Sequence, residues 1–251
     1  MTRPATARTD EHSLPVLLAL HLAPGIVTAA LFYLLGPLMV RAGYPPIAAG
    51  IVAGIVGVTA LELGFLLRQA HRATGRRDIS AVLPLRPGPF TWRRTLLCLG
   101  LVVWGLAASI VMASVRDGIK ESAFAWMPGW ALAPVPPDVG ETSGAPARFL
   151  TAVGFFLVLV LVAPLVEELY FRGYLLPRLA RLGAWAPLVN VALFALYHLW
   201  KPWDFFSLVV ILAPMVYAVW RTRDVRVGIA VHIGLNGTSF LLATGPQLLL
   251  G

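Results

Sequence analysis

Charge is what this chain has least of. Only 13% of its 251 residues are Asp, Glu, Lys or Arg, against about 25% in a soluble domain. Apolar residues make up 58% and the mean hydropathy is +0.78, so a water-soluble globule is excluded. Cysteine is almost missing too. Cys98 stands alone, which rules out an intrachain disulfide and any multi-cysteine metal centre. Acidic residues are outnumbered 12 to 20, giving a formal charge of +8. No basic face or base-stacking module accompanies that excess, so nucleic acid is not an expected partner. Low-complexity tracts and convincing internal repeats are also absent. The first apolar stretch, from about Ser13 to Val40, exceeds a secretory h-region in length and reads as a retained helix.

What the chain does have is long apolar runs. They predict an all-α, polytopic transmembrane bundle with spans near 14–40, 46–67, 95–114, 149–171, 185–200, 205–220 and 227–248. Crossing the hydrocarbon takes about 20 residues, so the fifth and sixth are expected to be short. Splitting the first long stretch would raise the number from seven to eight. The loop after the second span holds Arg68, Arg72, Arg76, Arg77, Arg86, Arg93 and Arg94 against Asp78 alone, which assigns it to the cytoplasm. Counting spans then places the N-terminus, with Arg3 and Arg8, on that side. Arg178, Arg181, Arg221, Arg223 and Arg226 fall there as well, while the loop 115–147 lies outside.

Ionisable groups inside such runs are costly and mark function or a buried pair. Glu167 and Glu168 end a charge-free run, Phe155 to Val166. Residues four apart share a helix face, so Glu168 pairs with Arg172, whereas Glu167 points about 100° away without a cation. One acid is then neutralised and its neighbour is free to take a proton. The competing reading has both acids merely satisfying Arg172. Phe194 to His198 occupies the following span, beyond a turn near Leu182-Gly183. The midpoint of 167 and 198, (167 + 198)/2 = 182.5, falls in that turn. Two antiparallel helices rising about 1.5 Å per residue would therefore put Glu167 and His198 at one depth. His232 and Asn236 project from one face of the last span, beginning about 9 Å in from Arg226. A water-excluded His and Asn can donate to a developing oxyanion, or can form a polar clasp between helices. His21 and Glu62 are assigned to packing or interface roles, Glu62 within reach of Arg68. Tyr170 and Trp185, Trp200, Trp203 and Trp220 fit an aromatic belt.

Glu-Glu-x-x-x-Arg at 167–172, Phe-x-x-x-His at 194–198 and His-x-x-x-Asn at 232–236 resemble, in order and spacing, the CPBP family of intramembrane proteases. That family is also called Abi or CAAX-protease-like and includes the eukaryotic type II CAAX prenyl endopeptidase. The resemblance covers about 149–245. It divides one integral membrane domain into N-terminal spans and loops, 1–148, and a CPBP-like catalytic core, 149–251. It implies that Glu167 and His198 activate a water for attack on a peptide carbonyl, that His232 and Asn236 stabilise the oxyanion, and that Glu168 and Arg172 support the site. No cofactor is then required. The alternative is zinc held by Glu167, His198 and His232, a two-His, one-carboxylate set, but a ligating Glu167 could not also serve as the base. The implied substrate is a peptide or protein, prenylated or membrane-anchored, met in the bilayer. The implied setting is a multi-pass protein of a prokaryotic plasma membrane, with no targeting signal. Two rivals accompany this reading: a non-catalytic scaffold or bacteriocin-immunity protein of the same fold, and a proton-coupled transporter. The lack of inverted repeats weighs against the transporter.

Overall fold

In lipid the backbone must satisfy its own hydrogen bonds, and among the described residues every regular element is helical. The computed structural model describes residues 12–83 and 89–250. Arg3, Arg8 and Arg86, which entered the charge-bias argument, lie outside the described residues.

Helix α1 (Leu14–Arg41) is continuous, so the first stretch is not split. It is followed by α2 (Ile47–Thr74) and α3 (Trp92–Val111). A shorter helix, α4 (Ala113–Ala123), leads into a loop that folds back over the bundle. The next helical stretch, Ala145–Tyr197, is 53 residues long but is not one rod. At Gly183 the backbone takes φ 54°, ψ −126°, a region open to glycine and strained for other residues, and the chain reverses there. The two limbs are α5 (145–182) and α6 (Ala186–Tyr197). Helices α7 (Phe205–Thr222) and α8 (Val225–Leu250) complete the bundle. Six stretches are long and apolar enough to cross a membrane, and the reversal inside the fourth makes seven passes. With 12 residues, about 18 Å, α6 is short as expected. The sixth pass is not: Pro202–Thr222 spans 21 residues, because the turn at Pro202–Asp204 continues into α7.

Prolines decide how the helices lock together. A proline lacks the N–H that would serve a carbonyl one turn earlier, and at membrane depth that carbonyl needs another donor. Pro24 leaves Leu20 O, which accepts from the Tyr170 hydroxyl of α5 at 2.7 Å. Pro214 leaves Val210 O, which accepts from Trp104 Nε1 of α3 at 3.2 Å. In the wide, π-type turns over Phe155–Val162, each carbonyl looks for the N–H five residues on. For Leu159 that residue is Pro164, and Asn236 Nδ2 of α8 donates instead at 3.0 Å. Tyr170 is therefore a buried lock between α1 and α5 and not part of an aromatic belt. Trp203 is also buried, in an outer cluster with Phe32, Ala49, Met127 and Ala131, where the 115–147 loop covers the ends of α1 and α2. Trp185, 67% exposed, keeps the position a belt requires.

Candidate active site

Helix α5 delivers Glu167, Glu168 and Arg172, and all three are buried. Glu168 and Arg172 pair as their four-residue spacing demands, Arg172 Nη1 to Glu168 Oε1 at 3.1 Å. The rest of the guanidinium lies on the Phe194 ring, 4.0 Å from its centroid, so a π face takes the place of water over the cation. Glu168 has a second partner: His232 Nδ1 donates to the same Oε1 at 3.0 Å. Its other oxygen abuts Gly228, where a β-carbon would collide with it. Glycine at this point of α8 is what lets the carboxylate reach His232.

The remaining groups follow from these contacts. With Nδ1 committed to Glu168, His232 presents Nε2 to Glu167, 3.8 Å from Oε2. Glu167 Oε1 accepts from the Tyr197 hydroxyl at 3.3 Å. His198 caps α6, and its Nδ1 lies 2.8 Å from Phe194 O. A carbonyl only accepts, so Nδ1 carries the proton and Nε2 keeps its lone pair. Asn236 uses one N–H on Leu159 O and retains the other.

A cavity of about 410 Å³ receives Glu167, His198, His232 and Asn236 in its lining, whereas Glu168 and Arg172 stand behind its wall. Most of that wall is apolar. Its polar end carries Arg116, Lys201 and Asp204. Arg116 follows the far end of α3 from Arg94, and Lys201 and Asp204 precede α7, whose other end holds Arg221. The polar end of the cavity thus lies at the end of the bundle opposite the arginine-rich loops. Glu167 on α5 and His198 at the end of α6 both line this cavity. Among the described residues, no three His, Cys, Asp or Glu side chains cluster closely enough to hold a metal ion.

Glu62 and Tyr197 read differently from sequence, whereas His21 keeps a packing role. His21, on α1, is buried as a packing group: Nδ1 bonds Leu17 O at 2.8 Å and Nε2 lies 3.3 Å from Asn190, which also donates to Phe171 O. Glu62 does not form an ion pair with Arg68 among the described residues. It is 0% exposed, with neither oxygen in a well-formed hydrogen bond, and sits beside Tyr197 and within electrostatic range of Glu167, Glu168 and Arg172. Tyr197 received no role from sequence, although it adjoins His198. Its signal was available: a polar hydroxyl in an apolar span must find a partner.

Residues 149–238 match a family described as type II CAAX prenyl endopeptidase Rce1-like. No curated protein and no solved structure matches the chain.

Proposed function

We propose, on the premise that residues 149–238 form a type II CAAX prenyl endopeptidase-like domain, that this membrane protein hydrolyses a peptide bond inside the cavity just described. One observation carries the proposal: Glu167, His198, His232 and Asn236 come from three helices and meet in the lining of one largely apolar cavity.

The chemistry follows from the donors and acceptors. The Glu167 carboxylate takes a proton from a water whose other hydrogen is held by His198 Nε2. The water oxygen bonds to the substrate carbonyl carbon as the C=O electron pair moves onto oxygen. Asn236 offers its second N–H to that oxyanion. His232 offers Nε2–H in its imidazolium form, since the Nδ1 proton is already given to Glu168. When the C–N bond breaks, the proton on Glu167 passes to the departing amine. Glu168, itself held by Arg172, keeps His232 in place and sets a negative charge beside it. No step here is assigned to a metal, because Glu167 is needed as the base.

The substrate is a peptide or protein, prenylated or membrane-anchored, whose apolar part lies along the Phe32 and Leu208 walls while its polar end meets Lys201 and Arg116. With the arginine-rich loops in the cytoplasm, the polar end of the cavity faces the opposite side of a plasma membrane. The direct test compares new protein termini in membranes from cells carrying wild-type chain or Glu167→Gln. Termini unique to wild type are expected and would identify the substrate. Identical termini, with both proteins expressed and both rescuing a deletion, would replace the protease reading with that of a scaffold or immunity protein.

A further inference from the structure

Among the described residues, Glu62 is the one acid in the heart of the bundle for which the reaction just described has no use. It enters from α2, outside the matched segment 149–238. Its carboxyl is wholly buried, and neither oxygen makes a well-formed hydrogen bond. The titratable and charged groups around it are Glu167, Glu168, Tyr170 and Arg172 on α5 and Tyr197 on α6. Charge counting constrains its state. Three carboxyls face one arginine, and that arginine is 3.1 Å from Glu168. Even with His232 protonated, three ionised acids leave an unbalanced negative charge in a water-poor site. A carboxylate without a cation or hydrogen-bond donor, buried this far, takes up a proton instead. Glu62 has the poorest partners of the three.

A neutral carboxylic acid is a donor, and the neighbour able to accept is the Tyr197 oxygen, whose own hydrogen points to Glu167 Oε1 at 3.3 Å. We propose that Glu62 is a positioning residue of this site: as a neutral acid it donates to the Tyr197 oxygen and so aims the Tyr197 hydroxyl at Glu167. Each bond in such a chain polarises the next, which steadies the Glu167 carboxylate in the orientation that faces the cavity. The inference rests on Glu167 acting as the base, but the protonated state of Glu62 does not.

The test uses the full chain in nanodiscs with Glu62→Gln, Glu62→Leu and Tyr197→Phe, each alone, and Glu62→Leu combined with Tyr197→Phe. Activity is read on a synthetic peptide spanning a cut identified from the wild-type termini. Glu62→Leu is expected to lower kcat about tenfold, the scale of one hydrogen bond to a charged group, with KM unchanged. Glu62→Gln should retain most activity, because its amide still donates to Tyr197. In the Tyr197→Phe background Glu62→Leu should cost nothing further. Losses that multiply, or a Gln variant as impaired as the Leu variant, would overturn the positioning role. Infrared difference spectra separate the two layers of the argument without any substrate. A carboxylic acid C=O band present in wild type, absent in Glu62→Gln and shifted in Tyr197→Phe supports the chain of donors. Its absence from wild type sinks the inference, even if Glu167→Gln abolishes cleavage. The band without any cleavage by wild type leaves Glu62 as the Tyr197 donor and removes the protease reading alone.

Discussion

Helix α8 meets two carboxylates held by guanidinium groups, one at its first turn and one in the bundle interior. Asp224 caps the helix and is gripped by Arg226 through both oxygens, each at 2.8 Å, and by Arg94 of α3, also at 2.8 Å. Both arginines keep contact with solvent. Glu168 has one guanidinium contact, an ion pair at 3.1 Å, and none of the three Arg172 nitrogens makes a well-formed hydrogen bond. The better-formed cluster thus lies where water would tolerate a worse one. Pairs at the surface contribute little beyond fastening elements together. A buried pair is weak evidence for stability, since apolar residues would often do as well. Its retention here fits a need for charge beside His232, and the difference between the two clusters is one of purpose.

Substitutions can break that contrast in order of their expected effect. Glu167→Gln keeps the shape and the Tyr197 bond but removes the base. Turnover on an identified peptide should fall by about 10²–10⁴-fold while the thermal midpoint in detergent barely moves. Turnover near wild type would remove Glu167 from the chemistry. Arg172→Ala strands Glu168 and should destabilise the bundle by about 3–5 kcal/mol, read as lost expression or a lowered Tm. Adding Glu168→Gln to Arg172→Ala should restore much of the fold but not the activity. A double variant as unstable as the single one would show that the Arg172–Phe194 contact, not charge balance, supports this region.

Asn236→Ala sharpens the comparison from the other side, because this residue is both a donor to the reaction and a lock on Leu159 O. Loss of an oxyanion donor predicts kcat lower by about 10²–10³-fold, with Tm reduced by only one interhelical bond, about 0.6–2 kcal/mol. A fall in Tm with kcat preserved would leave it a clasp and nothing more. The smallest effect belongs to Asp224. Its hydrogen bonds to the Arg226 side chain, ahead of the backbone bond at the helix start, hold its carboxyl below the usual carboxylate range. A depressed folded value contributes stability above the unfolded pKa of about 3.9, and that contribution is lost as pH falls through the folded value. Wild type should therefore lose stability relative to Asp224→Asn below about pH 4 and hold its advantage above it. Equal acid sensitivity of the two proteins would remove Asp224 from the acid response.

The motifs were legible because helix geometry is local. Glu168 and Arg172 had to share a face at four residues' separation, and His232 and Asn236 had to share another. The reversal between Glu167 and His198 was legible because Gly183 stands at their midpoint, where an L side chain would resist the backbone. Glu62 and Tyr170 were misread for one reason. Each lies on a helix whose rotation about its own axis is not decided by its own residues, so an inward and an interfacial acid or tyrosine look alike in sequence. Tyr170 turned inward because Pro24, 146 positions away, left a carbonyl without a donor.

Apolar run length and arginine bias depend on each segment meeting lipid and water separately, so composition alone determined an all-helical membrane protein with its acids and histidines at depth. The periodicity of single helices likewise determined which motif residues travel together. What the tertiary structure alone decided is how those helices face one another. It set the shared cavity that admits Glu167, His198, His232 and Asn236 and excludes Glu168 and Arg172. It gave Glu168 a second partner in His232, through the space that Gly228 leaves, and it brought Glu62 beside Tyr197. Such contacts arise between residues far apart in the chain, where packing of neighbouring surfaces, and not any local preference, selects the rotation of each helix.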